Sequence, residues 1–299
     1  MPRPAPGCVR SLHAHPEVAM DGGARRWVLP VAALALAVGG GAHALPRPAA
    51  RPVACGEVVT ADVRLAADLR CAGPTGLVVA ADGVEVDLDG HEVAGPGAGR
   101  TPGGARGITV RARGVRVLDG RVSGWDEGVR VEAGAGADLR EVRLERHGTG
   151  AVVEGALRVS GSLLRGNTTG ASARGPLVLD RSTVQENLTG VSAEPARPGG
   201  PGGPGAAAGD VVLRGSVLVR NGTALLCRGA RVHVQRSAFG GNGAAITTGG
   251  CAPWTVRDSA FVRNGDHLWL AERGPDRVTV VCTLFSEPAG PRALPVLPC

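Results

Sequence analysis

The sequence predicts an all-β solenoid, a parallel β-helix of about eight to nine coils closed by an N-terminal cap. Three observations predict it. Residues Thr149 to Asn187 read TGAVVEGALRVSGSLLRGN and then TTGASARGPLVLDRSTVQEN, two lines that share a Gly, two small-apolar alternations, a Ser or Thr and a closing Asn. The residues that open these alternations, Gly107, Gly128, Gly150, Gly170, Gly190, Ala224, Ala245 and His267, recur at spacings of 21, 22, 20, 20, 34, 21 and 22. Three positions before each opener from the second onward stand Trp125, His147, Asn167, Asn187, Asn221, Asn242 and Asn264. Repetition at this period marks a unit that cannot bury its own apolar face and must stack on a copy of itself.

Within a coil, the first and third residues after the opener are apolar or small, as in Ile108 and Val110, Val129 and Val131, or Leu225 and Cys227. That is period two with one face buried, which means strand. A second alternation follows, as in Val115 and Val117, Leu157 and Val159, and Val211 and Leu213. Two or three such strands per coil would stack equivalent residues about 4.8 Å apart. Asn suits the recurring turn because it tolerates a left-handed backbone and bonds nearby main chain. Stacked along the axis, these Asn residues can also bond one another. Asn167, Asn187 and Asn221 open N-x-Thr sequons as well, so glycosylation competes with a ladder that demands Asn on its own account.

Taken in order, residues 1–44 read as a signal peptide. Arg25 and Arg26 precede an apolar run from Trp27 to Val38, and Ala42-His43-Ala44 forms a small-x-small cleavage site. Counted from Met20 the basic region has ordinary length, which points to Met20 as the translation start. The run, interrupted by Pro30, is too short to span a bilayer. Residues 45–53 form a Pro/Ala-rich spacer and 54–288 the β-helix domain. The long coil carries a Gly/Pro-rich loop at 195–209, either a lid or a tolerated surface insertion. Residues 289–299 are a C-terminal tail.

The chain has 48 Gly, 22 Pro, no Tyr and three Phe, too little bulk for a globular core but enough for a narrow coil. Removing residues 1–44 takes four of the 33 Arg and two of the 27 acids, leaving 29 against 25. Such a mild, scattered excess with few aromatics is not a nucleic-acid footprint, so no nucleic acid is expected as partner, and no membrane span in the mature chain. We expect a monomer. Cys55, Cys71, Cys227, Cys251, Cys282 and Cys299 are an even set in an exported chain, which suggests disulfides. Pairing of sequence neighbours is favoured among the possible arrangements: Cys55 with Cys71, Cys227 with Cys251, and Cys282 with Cys299. Cys227 also reads as a small buried hydrophobe.

The run from Cys55 through DLRC, GLVV and VDLDGHEVAG, then Gly107-Ile108-Thr109-Val110, VLDGRVSG and the Asn-closed coils, resembles the right-handed parallel β-helix proteins of the pectate-lyase-like superfamily. The resemblance covers about 54–288 and implies right-handed winding. It implies export to the cell envelope or medium and, if an enzyme, a polysaccharide lyase or glycoside hydrolase. No catalytic motif of those enzymes is complete: Asn167-Thr168-Thr169 lacks the Asp of their Asn-Thr-Asp, and the chain has no Lys.

Asp89-Gly90 and Asp119-Gly120 read as strand-end turns in equivalent coil positions. With Asp87 beside Asp89 a Ca²⁺ site is conceivable, but six or more oxygens are not found, so no cofactor or metal is expected. His91 reads as a structural residue near that turn. Four residues after the openers, Arg111, Glu132, Glu154, Arg174, Glu194 and Arg228 should form one outward row. Glu132 and Glu154, about 5 Å apart on adjacent strands, suit general acid and nucleophile roles, with Arg111, Arg174, Glu194 and Arg228 as substrate contacts. In the resembling superfamily the substrate groove often runs along this face. A solvated ladder of cross-strand ion pairs explains the same row. Two functions follow: an exported protein that binds or processes an extended polysaccharide along its strand face, or a non-catalytic envelope scaffold.

Overall fold

The computed structural model describes residues 47–101, 104–195, 209–251, 254–270, 278–286 and 296–297. The expected signal peptide, most of the Gly/Pro-rich loop and most of the C-terminal tail lie outside the described residues. Regular structure in the rest is strand throughout, wound as a right-handed parallel β-helix of about nine turns.

Each coil contributes to three faces. The first face is a 10-stranded parallel sheet that includes Arg106–Val110, Glu127–Val131, Thr149–Val153, Thr169–Ala173, Thr189–Ala193 and Thr223–Cys227. The second face holds strands such as Ala156–Ser160 and Leu177–Asp180, and the third holds Leu163–Arg165 and Thr183–Gln185. In the third and fourth coils one continuous strand serves both of these faces, Val115–Ser123 and Gly136–Glu145. The segment between Cys55 and Cys71 supplies strands Glu57–Val59, Val63–Leu65 and Leu69–Arg70, which pair with the coil that follows.

Register follows the repeat. Glu127 pairs with Thr149, Thr149 with Thr169 and Thr169 with Thr189, so every opener stacks on the next. The 34-residue coil keeps this register: Thr189 pairs with Thr223 and Leu177 with Val211, so its extra length is confined between Ala193 and Val211. The predicted inward residues form the core, with Ile108, Val129, Ala151, Ala171, Val191 and Leu225 fully buried. A third inward row, Val122, Leu144, Leu164, Val184, Leu218, Phe239 and Phe261, is equally buried. Its aromatic end stacks Phe239 on Phe261 at 4.7 Å and Phe261 on Phe285 at 4.9 Å. Where the opener is Gly the reason is steric: a Cβ on Gly150 would lie 2.5 Å from the carbonyl oxygen of Gly170 in the next coil.

The Asn ladder forms, with one correction. Nδ2 of Asn167, Asn187, Asn221 and Asn242 donates to Oδ1 of the Asn in the next coil at 2.8–3.0 Å. The same oxygens accept the backbone N–H groups of the preceding coil, and each Nδ2 also donates to a carbonyl such as Leu144, Leu164 or Val184. The left-handed residue of this turn, however, is the one before the Asn: Arg146, Glu186, Arg220 and Arg263 have φ between 53° and 58°, and Gly124, Gly166 and Gly241 fill the other coils. The Asn is chosen for its side-chain bonds, not for its backbone. Asn167, Asn187 and Asn221 are 3% exposed with their amide hydrogens engaged, so the three sequons serve the ladder.

A second left-handed corner joins the second and third faces at Asp119, Glu141, Gly161, Arg181, Gly215, Arg236, Asp258 and Cys282. Asp89 and Gly90 make the same bend, as their sequence suggested. Next to this corner a buried Ser ladder runs through Ser162, Ser182, Ser216, Ser237 and Ser259, each accepting a backbone N–H from the coil before. Cys55 bonds to Cys71 and Cys227 to Cys251. Cys282 is disulfide-bonded too, and Cys299, its expected partner, lies outside the described residues.

Candidate functional site

The predicted charged row exists. Glu132, Glu154, Arg174 and Glu194 extend the first-face ladder on successive coils through backbone bonds to Val110, Val131, Val153 and Ala173. Most of its side chains are ion-paired. Arg111 Nε lies 3.3 Å from Glu132 Oε1, and Arg174 Nη2 lies 2.6 Å from Glu194 Oε2. Glu154 is held by Arg130, whose Nη2 lies 3.0 Å from Oε2. Arg130 also bonds Glu127, which in turn bonds Arg106. Arg130, absent from the predicted row, is thus its hub. It stands two residues after the opener, where other coils carry Thr109, Ser172, Ser192 and Thr247, and a list of small polar residues at that position hides a single Arg. Arg228 is exposed at the far end of the row. The structure therefore puts Glu132 and Glu154 on adjacent coils, each bonded to a different arginine.

Asp87 and Asp89 converge on a guanidinium. Arg64 Nη2 lies 2.7 Å from Asp89 Oδ1 and Arg64 Nε lies 3.9 Å from Asp87 Oδ2. The Asp89 N–H donates to Asp87 Oδ1. Among the described residues no group of three or more His, Cys, Asp or Glu side chains is placed to hold a metal. His91 Nδ1 faces Asp68 Oδ1 at 3.5 Å.

A concave surface lies at another place among the described residues. A groove of about 890 Å³ follows the left-handed corner between the second and third faces, from Asp68 in the first coil to Gln185 in the sixth. Parallel strands about 4.8 Å apart give it a length of roughly 24 Å over those coils. Its polar lining includes Asp119, Arg121, Glu141, Arg143, Arg181 and Thr183, with Gly120 and Gly161 opening space at the bend. No aromatic side chain lines it. The corner brings these residues together because each coil after the first places a left-handed residue there and the next outward side chain two positions on. Sequence reading named Asp119 only as a turn residue and passed over the others, since nothing in their types repeats.

No family profile matches the chain, and no curated protein matches its sequence. Among solved structures it is similar to a tailspike protein of E. coli bacteriophage HK620 in complex with a pentasaccharide, at a TM-score of 0.50 and 11% identity over 77% of this chain and 55% of that one. It is also similar to the A-module of a mannuronan C-5 epimerase of Azotobacter vinelandii, at a TM-score of 0.39 and 14% identity over 76% of this chain and 71% of that one. The chain thus spans about half the length of the tailspike chain. At this identity the likeness speaks for the fold alone.

Proposed function

We propose that the chain is an exported β-helix protein that binds an extended polysaccharide along its parallel strand surface. The observation that carries this reading is the corner groove, which crosses six coils with a polar lining and repeats one left-handed bend from the second coil to the sixth. A regular polymer can meet a regular array of side chains unit by unit, and hydroxyl groups suit a surface of Arg, Asp, Glu, Ser and Thr. Disulfides support an oxidising compartment, in keeping with export to the medium or envelope. The pentasaccharide in the similar tailspike structure supports the substrate class by analogy of fold only.

Glu132 and Glu154 remain the proposed pair for any cleavage, with Arg111, Arg174, Glu194 and Arg228 beside them. The test is a binding and depolymerisation screen of the full chain expressed for export, with and without Ca²⁺, beside Glu132→Gln/Glu154→Gln. Turnover lost in the variant assigns the pair. Binding without turnover makes the protein a binder. A folded protein that binds and cleaves nothing leaves the second reading, a non-catalytic scaffold, which the ion-paired first face favours.

A further inference from the structure

The third face changes character along the axis. Its first outward row reads Arg121, Arg143, Leu163 and Thr183 in register, and then Val217, Ala238, Ala260 and Leu284. Its second outward row reads Ser123, Glu145, Arg165 and Gln185, and then Val219, Gly240 and Val262. The later coils thus present an uncharged, apolar strip about 14 Å long at about 4.8 Å per coil. Val217, Val262 and Leu284 are 38%, 44% and 74% exposed. Arginines flank the strip on both sides: Arg214, Arg236 and Arg257 at the corner with the second face, Arg220 and Arg263 at the corner with the first. Arg214, Arg236, Arg257 and Arg263 are exposed and make no ion pair with any described residue. Of the nearby carboxylates, Glu186 is bonded to Arg165 and Arg220, Asp180 is bonded to Arg158, and Asp258 stands in the corner beside Arg257.

An exposed apolar strip rimmed by polar residues marks an interaction surface. Excess arginine on the rim selects a partner with anionic groups and disfavours a second copy, which would set one arginine rim against another. The two rims lie at opposite edges of one sheet face, since Arg214 and Arg220 are six residues apart, at most about 20 Å. An extended acidic chain laid along the strip meets one rim, whereas a plane of anionic headgroups meets both and offers apolar depth between them. We infer that this face docks on a bilayer surface carrying anionic lipid headgroups, with the arginines at headgroup level and Val217, Val262 and Leu284 reaching the acyl boundary. Arginine suits that depth because its stem packs on apolar groups while the guanidinium stays in water. The strip begins one coil beyond Gln185, where the corner groove ends, so this surface is separate from the groove and independent of the polysaccharide reading.

The test is co-sedimentation of the full chain with vesicles of phosphatidylcholine alone and with about one third phosphatidylglycerol. The anionic vesicles should bind about tenfold or more tightly, a difference that fades as salt rises. Arg214→Gln/Arg236→Gln/Arg257→Gln should lose about tenfold or more of that affinity, and Val262→Thr/Leu284→Thr about threefold or more. Arg70→Gln/Arg100→Gln/Arg113→Gln removes the same charge from the early coils and should bind within about twofold of the wild type. Urea midpoints equal to that of the wild type separate lost docking from lost folding in these variants. Equal partition to both kinds of vesicle overturns the inference. An equal loss in the early-coil control also overturns it, because net charge alone would then explain the attraction. Two further measurements cover the other occupants. Binding of polyglutamate without binding of vesicles makes the partner an acidic protein, and a wild-type dimer that Val262→Thr/Leu284→Thr dissolves makes it a second copy; either result overturns the lipid assignment.

Discussion

Nδ1 of His147 accepts the backbone N–H of Trp125 at 3.1 Å, in the row where later coils offer an Asn oxygen to the coil before. His147 Nε2 donates to the carbonyl of Val122 at 2.9 Å, so the ring is neutral with its proton on Nε2. Its own N–H donates to Oδ1 of Asn167, which joins it to the ladder. Burial pushes its pKa down to about 4. The Trp125 N–H acts in the same direction, because a second proton on Nδ1 would set two donors against each other.

Acid stability should report this residue. The folded pKa lies below the unfolded value of about 6.5, so the unfolded chain binds more protons between the two. Stability is therefore full above about pH 6.5 and falls as the pH drops toward about 4, by about 3 kcal/mol for a shift of this size. His147→Asn keeps an acceptor for Trp125 and does not titrate. Urea titrations at about pH 7 and about pH 4.5 should show a smaller acid loss in this variant than in the wild type. The same loss in both would contradict the assignment.

Asn187→Ala should be costly although it changes no apolar contact of the core. It removes the acceptor of two donors on Asn167, its backbone and Nδ2 hydrogens, and strips the carbonyl of Leu164 of a donor. Each buried polar group left unpaired costs about 1–3 kcal/mol, so a loss of about 3 kcal/mol or more is expected. Leu188→Ala, at a neighbouring side chain that is 68% exposed, should change stability by about 0.5 kcal/mol or less. Denaturant midpoints of the two variants provide the comparison.

The Cys227–Cys251 bond spans 24 residues and ties the end of one first-face strand to the turn after the next. A closed loop of this size stabilises by about 3 kcal/mol through the unfolded chain. Cys227→Ala/Cys251→Ala should lose about that much, and a reductant should then lower its melting temperature less than that of the wild type. An unchanged melting temperature in the variant would show that stacking alone holds these coils.

Much of this architecture is legible because in a solenoid subtraction of residue numbers gives spatial register directly. Gly150, Gly170 and Gly190 repeat in sequence and stack in space for one cause, the close carbonyl of the next coil. Position Asn187 was equally plain, since one residue type satisfies four hydrogen bonds there. The left-handed residue before it was not, because Arg146, Gly166, Glu186 and Arg220 meet only a backbone demand and share no chemistry. The groove was hidden for the same reason. Asp119, Glu141 and Arg181 occupy one corner position with three different side chains, and Arg143 departs from Leu163 and Thr183 in its own row.

The most direct test of the groove is a hydrogen-exchange footprint of the full chain with whichever polysaccharide of the binding screen it takes up. The account predicts slowed exchange at the corner amides of Asp119, Gly120 and Glu141, whatever happens at the first-face turns at Glu132–Gly134 and Glu154–Gly155. Protection of the first-face turns with an unchanged corner would contradict it.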